Sequence, residues 1–172
     1  VDIDHDGDLD ILVANANGPL EVFANTLDGA FRSIGKETGL HVATNTSQLL
    51  IADLDHTSDL DVLAVRPGRE NMIFLNDRLW KFERREKYAA IEESRIVRAV
   101  AGDLDATGKV NLFTIQPDGS LGKWWFDNRN RAKRKVLQQL SVLPVNLAIF
   151  DQNGDGQLEL ITTPHPSLKD AK

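Results

Sequence analysis

The 172-residue sequence predicts an all-β fold, part of a β-propeller with about 3 to 4 four-stranded blades. Three observations lead there. A nine-residue acidic loop recurs four times, apolar strand-like runs flank each copy, and turn signals divide the interval between copies into about four short strands.

The first copy, Asp2-Ile3-Asp4-His5-Asp6-Gly7-Asp8-Leu9-Asp10, places a carboxylate at every second position, with glycine sixth. Like charges this close disfavour one another unless a cation neutralises them. Ca²⁺ takes roughly 6 to 8 oxygen ligands, and places one, three, five and nine of such a loop can supply side chains while place seven supplies its backbone carbonyl. Asp2, Asp4, Asp6 and Asp10 are therefore expected to bind through side chains and Asp8 through its carbonyl. Gly7 permits the positive φ of a sharp turn. The spacing resembles the opening of an EF-hand loop, but the twelfth place is Val13 rather than a bidentate glutamate. The residues that follow, Leu9 to Ala14, read as a strand instead of an exiting helix.

The other copies begin at Asp53, Asp103 and Asp151, so successive loops are 51, 50 and 48 residues apart. The eighth place is apolar in all four (Leu9, Leu60, Val110, Leu158). In the fourth copy Asp151, Asn153, Asp155 and Glu159 offer side-chain oxygens, Gln157 a carbonyl and Gly156 the turn. The second keeps Asp53, Asp55 and Asp61, with Thr57 fifth and Asp59 seventh, but sets Ser58 where glycine belongs, at a steric cost. The third has only Asp103 and Asp105, with Thr107 and Asn111. It is expected to be a hydrogen-bonded turn without metal, the ammonium of Lys109 partly replacing the ion.

The second interval shows the unit in full. Leu49 to Ala52 enters the loop, Leu60 to Val65 leaves it, Pro67-Gly68 turns, Asn71 to Leu75 makes a third strand and Trp80 to Arg84 a fourth. Such a unit cannot bury both faces alone and must stack on its neighbours. The units run over residues 1–45 (partial), 46–95, 96–143 and 144–172 (partial). Val1 starts on the threshold of a loop, so the first strand and further blades are expected to lie beyond this chain.

These loops are similar to the FG-GAP or VCBS repeats of integrin-type propellers. The phrase Asn25-Thr26-Leu27-Asp28-Gly29-Ala30-Phe31, continuing through Ile34 to Glu37-Thr38-Gly39-Leu40, is similar to a blade ending in the cartilage acidic protein group, whose propellers are often joined to an ASPIC/UnbV domain. Leu75 to Phe82 echoes it, and no ASPIC/UnbV domain is visible. The resemblance implies a calcium-bearing, extracellular or periplasmic propeller that binds an unidentified protein or glycan and implies no reaction. The alternative it leaves is the propeller portion of a carbohydrate-active enzyme such as a polysaccharide lyase.

Composition narrows the classes. A net charge of −6, concentrated in the loops, points to metal rather than nucleic acid. No apolar run approaches the roughly 18 residues of a membrane span. No signal peptide is visible, which carries no information because the start is expected to be truncated, and the absence of cysteine excludes disulfide and thiolate chemistry. No nucleophile elbow, zinc-protease or phosphate-loop motif occurs, so a non-catalytic role is expected.

His5 and His56 share the fourth loop place and are expected to face solvent, as are His41 and His165. Trp80, Trp124, Trp125, Phe82 and Phe126 fall on third or fourth strands, where they pack between blades or form a sugar-stacking platform. Tandem Trp124-Trp125 must point to opposite faces, leaving one exposed. The basic run Arg129, Arg131, Lys133, Arg134 and Lys135 reads as a charged outer strand or a patch for an anionic polymer, with Lys81, Arg84, Arg85 and Lys87 a smaller one. Pro164-His165-Pro166 reads as the end of a strand.

Overall fold

The computed structural model describes residues 1–77, 81–127, 129 and 131–163. Trp80, His165 and the Pro164-His165-Pro166 tail lie outside them. Among the described residues thirteen strands form four separate antiparallel sheets in chain order. The first joins β1 (Ile11–Val13), β2 (Glu21–Asn25) and β3 (Phe31–Ser33). The second joins β4 (Gln48–Ala52), β5 (Asp61–Val65), β6 (Met72–Asn76) and β7 (Phe82–Glu83). The third joins β8 (Arg98–Gly102), β9 (Asn111–Ile115), β10 (Ser120–Phe126) and β11 (Ala132–Gln139). The fourth pairs β12 (Asn146–Phe150) with β13 (Glu159–Thr163). Each sheet is an up-and-down meander, and the sheets stack as the blades of a partial β-propeller, with β4 against β8 and β8 against β12.

Stacking explains the composition of the second blade. All five residues of β5 and of β6 are buried. Successive side chains of a strand point to opposite faces, so Val62, Ala64, Met72 and Phe74 pack toward the first blade while Leu63, Val65, Ile73 and Leu75 pack toward the third. A strand covered on both sides has no polar face, hence the unbroken apolar run Val62 to Val65 that follows Asp61. Full burial of each such side chain is worth about 1.5 to 3 kcal/mol. Between the third and fourth blades Ile115, Leu121 and Leu147 form a smaller core.

Polar clips reinforce these contacts. Asn76 Nδ2 on the second blade donates to the Ile3 carbonyl at 2.8 Å. Arg98 Nε on the third donates to the Val145 carbonyl beside the fourth at 2.7 Å.

The tight turns follow their residues. In Arg66-Pro67-Gly68-Arg69 the Arg69 N–H donates to the Arg66 carbonyl at 3.1 Å, and Gly68 adopts φ +74°. Proline second and glycine third suit that turn. The connections between blades hold helical turns that periodicity did not announce: α1 (Gly35–Thr38), a 3-10 turn at Leu40–Val42, a 3-10 turn at Glu86–Tyr88 and α2 (Ala89–Glu92). They are too short to show a 3.6-residue pattern. Buried Glu92 fastens α2, accepting the Arg84 guanidinium through both oxygens (3.0 and 2.8 Å) and the Ile73 N–H at 2.9 Å.

Trp124 is buried, its indole N–H donating to Thr114 Oγ1 at 2.9 Å, whereas Trp125 is 40% exposed. Of the basic run, Lys133, Arg134 and Lys135 lie on β11, the outermost strand of its blade, and Arg129 and Arg131 precede it.

Candidate metal centres

Loops two, three and four join the first two strands of their sheets, and loop one leads directly into β1. All four share one skeleton. The first aspartate accepts the N–H of the sixth residue through Oδ2: Asp2 from Gly7 at 3.2 Å, Asp53 from Ser58 at 3.1 Å, Asp103 from Gly108 at 2.6 Å and Asp151 from Gly156 at 2.8 Å. The sixth residue has positive φ in every copy, including Ser58 at +72°.

The fourth place is left-handed too: His5 (φ 62°), His56 (63°), Ala106 (51°) and Gly154 (77°). Only Gly154 carries a sequence signal for this conformation. His5 and His56 are exposed, as expected, and His5 Nε2 also lies 3.5 Å from Asp59 Oδ1 in loop two. His41 sits on the Leu40–Val42 turn with Nδ1 buried and unbonded.

The ninth residue ties the loop to the blade. Asp10 Oδ2 accepts the Ile3 N–H at 3.1 Å, Asp61 Oδ2 the Leu54 N–H at 2.8 Å and Glu159 Oε2 the Gln152 N–H at 2.9 Å. The other oxygen of Asp10 and of Asp61 accepts the N–H at the end of the third strand position, from Asn25 and Asn76 respectively. Burial pushes the Asp61 carboxyl up to about 6, against the pull of the Asn76 and Leu54 N–H groups.

Three loops bring carboxylates together. Asp2, Asp4 and Asp10 each offer an oxygen within 4.8 Å of the others, as do Asp53, Asp55 and Asp61, and Asp151, Asp155 and Glu159. Asp6 lies outside the first triad, exposed, its Oδ1 accepting the Asp8 N–H at 3.1 Å. Asn153 Oδ1 accepts the Asp155 N–H at 2.9 Å, and Asp155 Oδ1 that of Gln157 at 2.8 Å. Thr57 Oγ1 donates to Asp55 Oδ1 at 2.6 Å.

Loop one also holds oxygens without donors. Asp8 is 6% exposed, and both its carboxylate oxygens and Asp2 Oδ1 are buried with no hydrogen-bond partner. Burial first, then the charges of Asp6, Asp10, Asp4 and Asp2, push the Asp8 pKa upward. A buried carboxylate among four others and lacking donors is costly. An all-oxygen donor set with orphaned lone pairs fits a hard divalent cation.

Loop three differs as its residues require. Lys123 on β10 places Nζ 2.9 Å from Asp105 Oδ2 and holds that carboxyl below its usual range. The ammonium at this loop is therefore Lys123, not Lys109. Sequence reasoning missed it because strand pairing, which sets Lys123 opposite Phe113, brings it in from 18 residues away.

A cavity of about 350 Å³ opens between loops two and three, its polar wall formed by Asp55, His56, Asp105 and Lys109 and its apolar wall by Tyr88 and Trp124. Both carboxylates are engaged, Asp55 by Thr57 and Asp105 by Lys123. The Lys87 ammonium stands 4.9 Å over the Tyr88 ring.

Four stacked meanders with a recurrent acidic loop define a β-propeller repeat module. Within it, residues 2–64 match the family model described as FG-GAP-like repeat, and this segment, from loop one through loop two into β5, is an FG-GAP-like repeat. No curated protein matches the sequence.

Proposed function

We propose that this repeat module is stabilised by Ca²⁺ and binds a protein or glycan partner outside the cytoplasm without catalysing a reaction. The observation that carries the reading is the convergence of Asp2, Asp4 and Asp10, whose carboxylate oxygens lie within 4.8 Å of one another while Asp2 Oδ1 is buried with no donor. In this reading the side chains of Asp2, Asp4, Asp6 and Asp10 and the Asp8 carbonyl hold one ion. Asp151, Asn153, Asp155 and Glu159, with the Gln157 carbonyl, hold a second. Asp53, Asp55, Thr57 and Asp61, with the Asp59 carbonyl, hold a third. The role of the ion is to neutralise these carboxylates and fix the connection between strands.

Extracellular modules bind Ca²⁺ with Kd of about 10⁻⁴ to 10⁻³ M, so about 1 mM calcium adds on the order of 0.5 to 1.5 kcal/mol per site. That suits a permanent clip in a calcium-rich compartment and is too little for a switch. The engagement of Asp55 and Asp105 by their neighbours supports a binding role over an acid–base one.

Thermal unfolding in calcium and in chelator tests the metal. A higher melting temperature in calcium, reduced by Asp4→Asn and by Asp155→Asn, is expected. Superimposable transitions in calcium and chelator overturn the reading.

A further inference from the structure

The end of the blades away from the acidic loops carries charge of the opposite sign. Ala52 pairs with Asp61 beside loop two, whereas Gln48 pairs with Val65 at the far end of the same hairpin. At that far end a cavity of about 240 Å³ lies between the second and third blades. Arg66 and Arg69, from the turn after β5, line it together with Arg95 and Arg98, from the entry to β8. No aspartate or glutamate lines it.

None of the four guanidiniums is ion-paired among the described residues. Neutral acceptors hold Arg66, Arg98 and Arg69 instead, and Arg95 is exposed. Arg66 donates from Nε to the Thr44 carbonyl at 2.8 Å and from Nη1 to the Glu70 carbonyl at 3.2 Å. Arg98 donates from Nε to the Val145 carbonyl and from Nη1 to the Val97 carbonyl, both at 2.7 Å. With the Asn45 amide oriented to donate to the Ala16 carbonyl, its oxygen accepts from Arg69 Nε and Nη2 at 3.2 Å. Carbonyl and amide oxygens position a guanidinium without cancelling its charge. Burial and the neighbouring charges of Arg69 and Arg84 hold Arg66 below its usual range, opposed by Glu70.

Four guanidiniums around one mouth, three of them held by neutral acceptors and none ion-paired among the described residues, call for an anion in a chain of net charge −6. Guanidinium forks suit sulfate, phosphate and carboxylate oxygens, which they grip bidentately. The charge of a single ester, at most about −2, leaves half of this set unmatched. We propose that the cavity between the second and third blades binds a polyanionic glycan through Arg66, Arg69, Arg95 and Arg98. The inference rests on the binding-module reading and narrows its ligand to a sugar chain bearing several sulfate or carboxylate groups.

Calorimetric titration of the whole chain with a heparin-derived hexasaccharide and with a galacturonate hexamer tests this. Arg69 and Arg95 are exposed, so R69Q/R95Q should melt as the parent does. It should lose affinity for the bound glycan by about tenfold or more, since two of the four guanidinium forks are removed. K133Q/K135Q on β11, the other basic surface, should bind as the parent does. Binding of either glycan with that dependence supports the site.

Undiminished affinity in R69Q/R95Q, loss confined to K133Q/K135Q, or absence of binding by the parent overturns it. So does displacement of the hexasaccharide by equimolar inorganic phosphate, because a single oxyanion would then suffice. These failures leave the calcium-stabilised module intact; that reading falls only if the calcium and chelator transitions also superimpose.

Discussion

Gln48 and Ala99 are joined twice across the boundary between the second and third blades. The Gln48 carboxamide donates to the Ala99 carbonyl at 2.7 Å and accepts the Ala99 N–H at 3.1 Å. Ala99 is fully buried, so removing the amide strands a backbone N–H and C=O away from water. Gln48→Ala should destabilise the fold by about 2 to 3 kcal/mol, read as a lower urea midpoint at unchanged slope. Gln48→Glu, which sets a carboxylate oxygen against the Ala99 carbonyl, should cost at least as much.

The Lys123–Asp105 contact makes loop three a natural control for the metal loops. Lys123→Met removes the ammonium and leaves Asp103 and Asp105 facing each other with only hydroxyl and N–H donors. The variant should be less stable than the parent in chelator and recover more of its melting temperature in calcium. An equal calcium response in both proteins would mean that this loop takes no ion even without its lysine.

Two glycines with similar φ should respond differently to alanine. Gly68 (φ +74°) has open space where a Cβ would stand. Gly119 (φ +81°) would put that atom 2.5 Å from the Leu140 carbonyl oxygen. Gly68→Ala should cost about 1 kcal/mol for the left-handed backbone alone. Gly119→Ala should cost about 1 to 3 kcal/mol more, because backbone must move as well. Denaturant midpoints of the two variants measure the difference.

Tyr88 is the only tyrosine in the sequence, so phenolate absorbance reports on it alone. Burial, followed by the charges of Asp55 and Asp61, pushes its pKa well above the ordinary 10.0. A folded-state pKa raised in this way contributes stability in full below pH 10 and loses it as pH climbs toward the folded value. Little phenolate should form at pH 10, where a free tyrosine is half ionised, and its appearance at higher pH should accompany unfolding.

How much of this was readable from sequence depends on how far each cause reaches along the chain. The loops were legible because their hydrogen bonds close within nine residues, as from Gly7 to Asp2 or Gln152 to Glu159. The strands of the second blade were legible because two-sided burial leaves an uninterrupted apolar run. The fourth loop place was not, since histidine and alanine give no hint of positive φ and only Gly154 does. Neither was the Lys123–Asp105 pair, created by β9–β10 pairing. The arginine cluster was hidden for the same reason: its members come from two turns that are neighbours only once the blades stack.

The double-sided covering of β5 and β6 has a kinetic corollary. An amide in the middle of that sandwich exchanges its proton with solvent only when two interfaces part together, whereas one on β11 needs a single strand to lift. Deuterium should enter Leu63 and Ile73 last, and openings that begin at the margins of the stack should run inward and stop there.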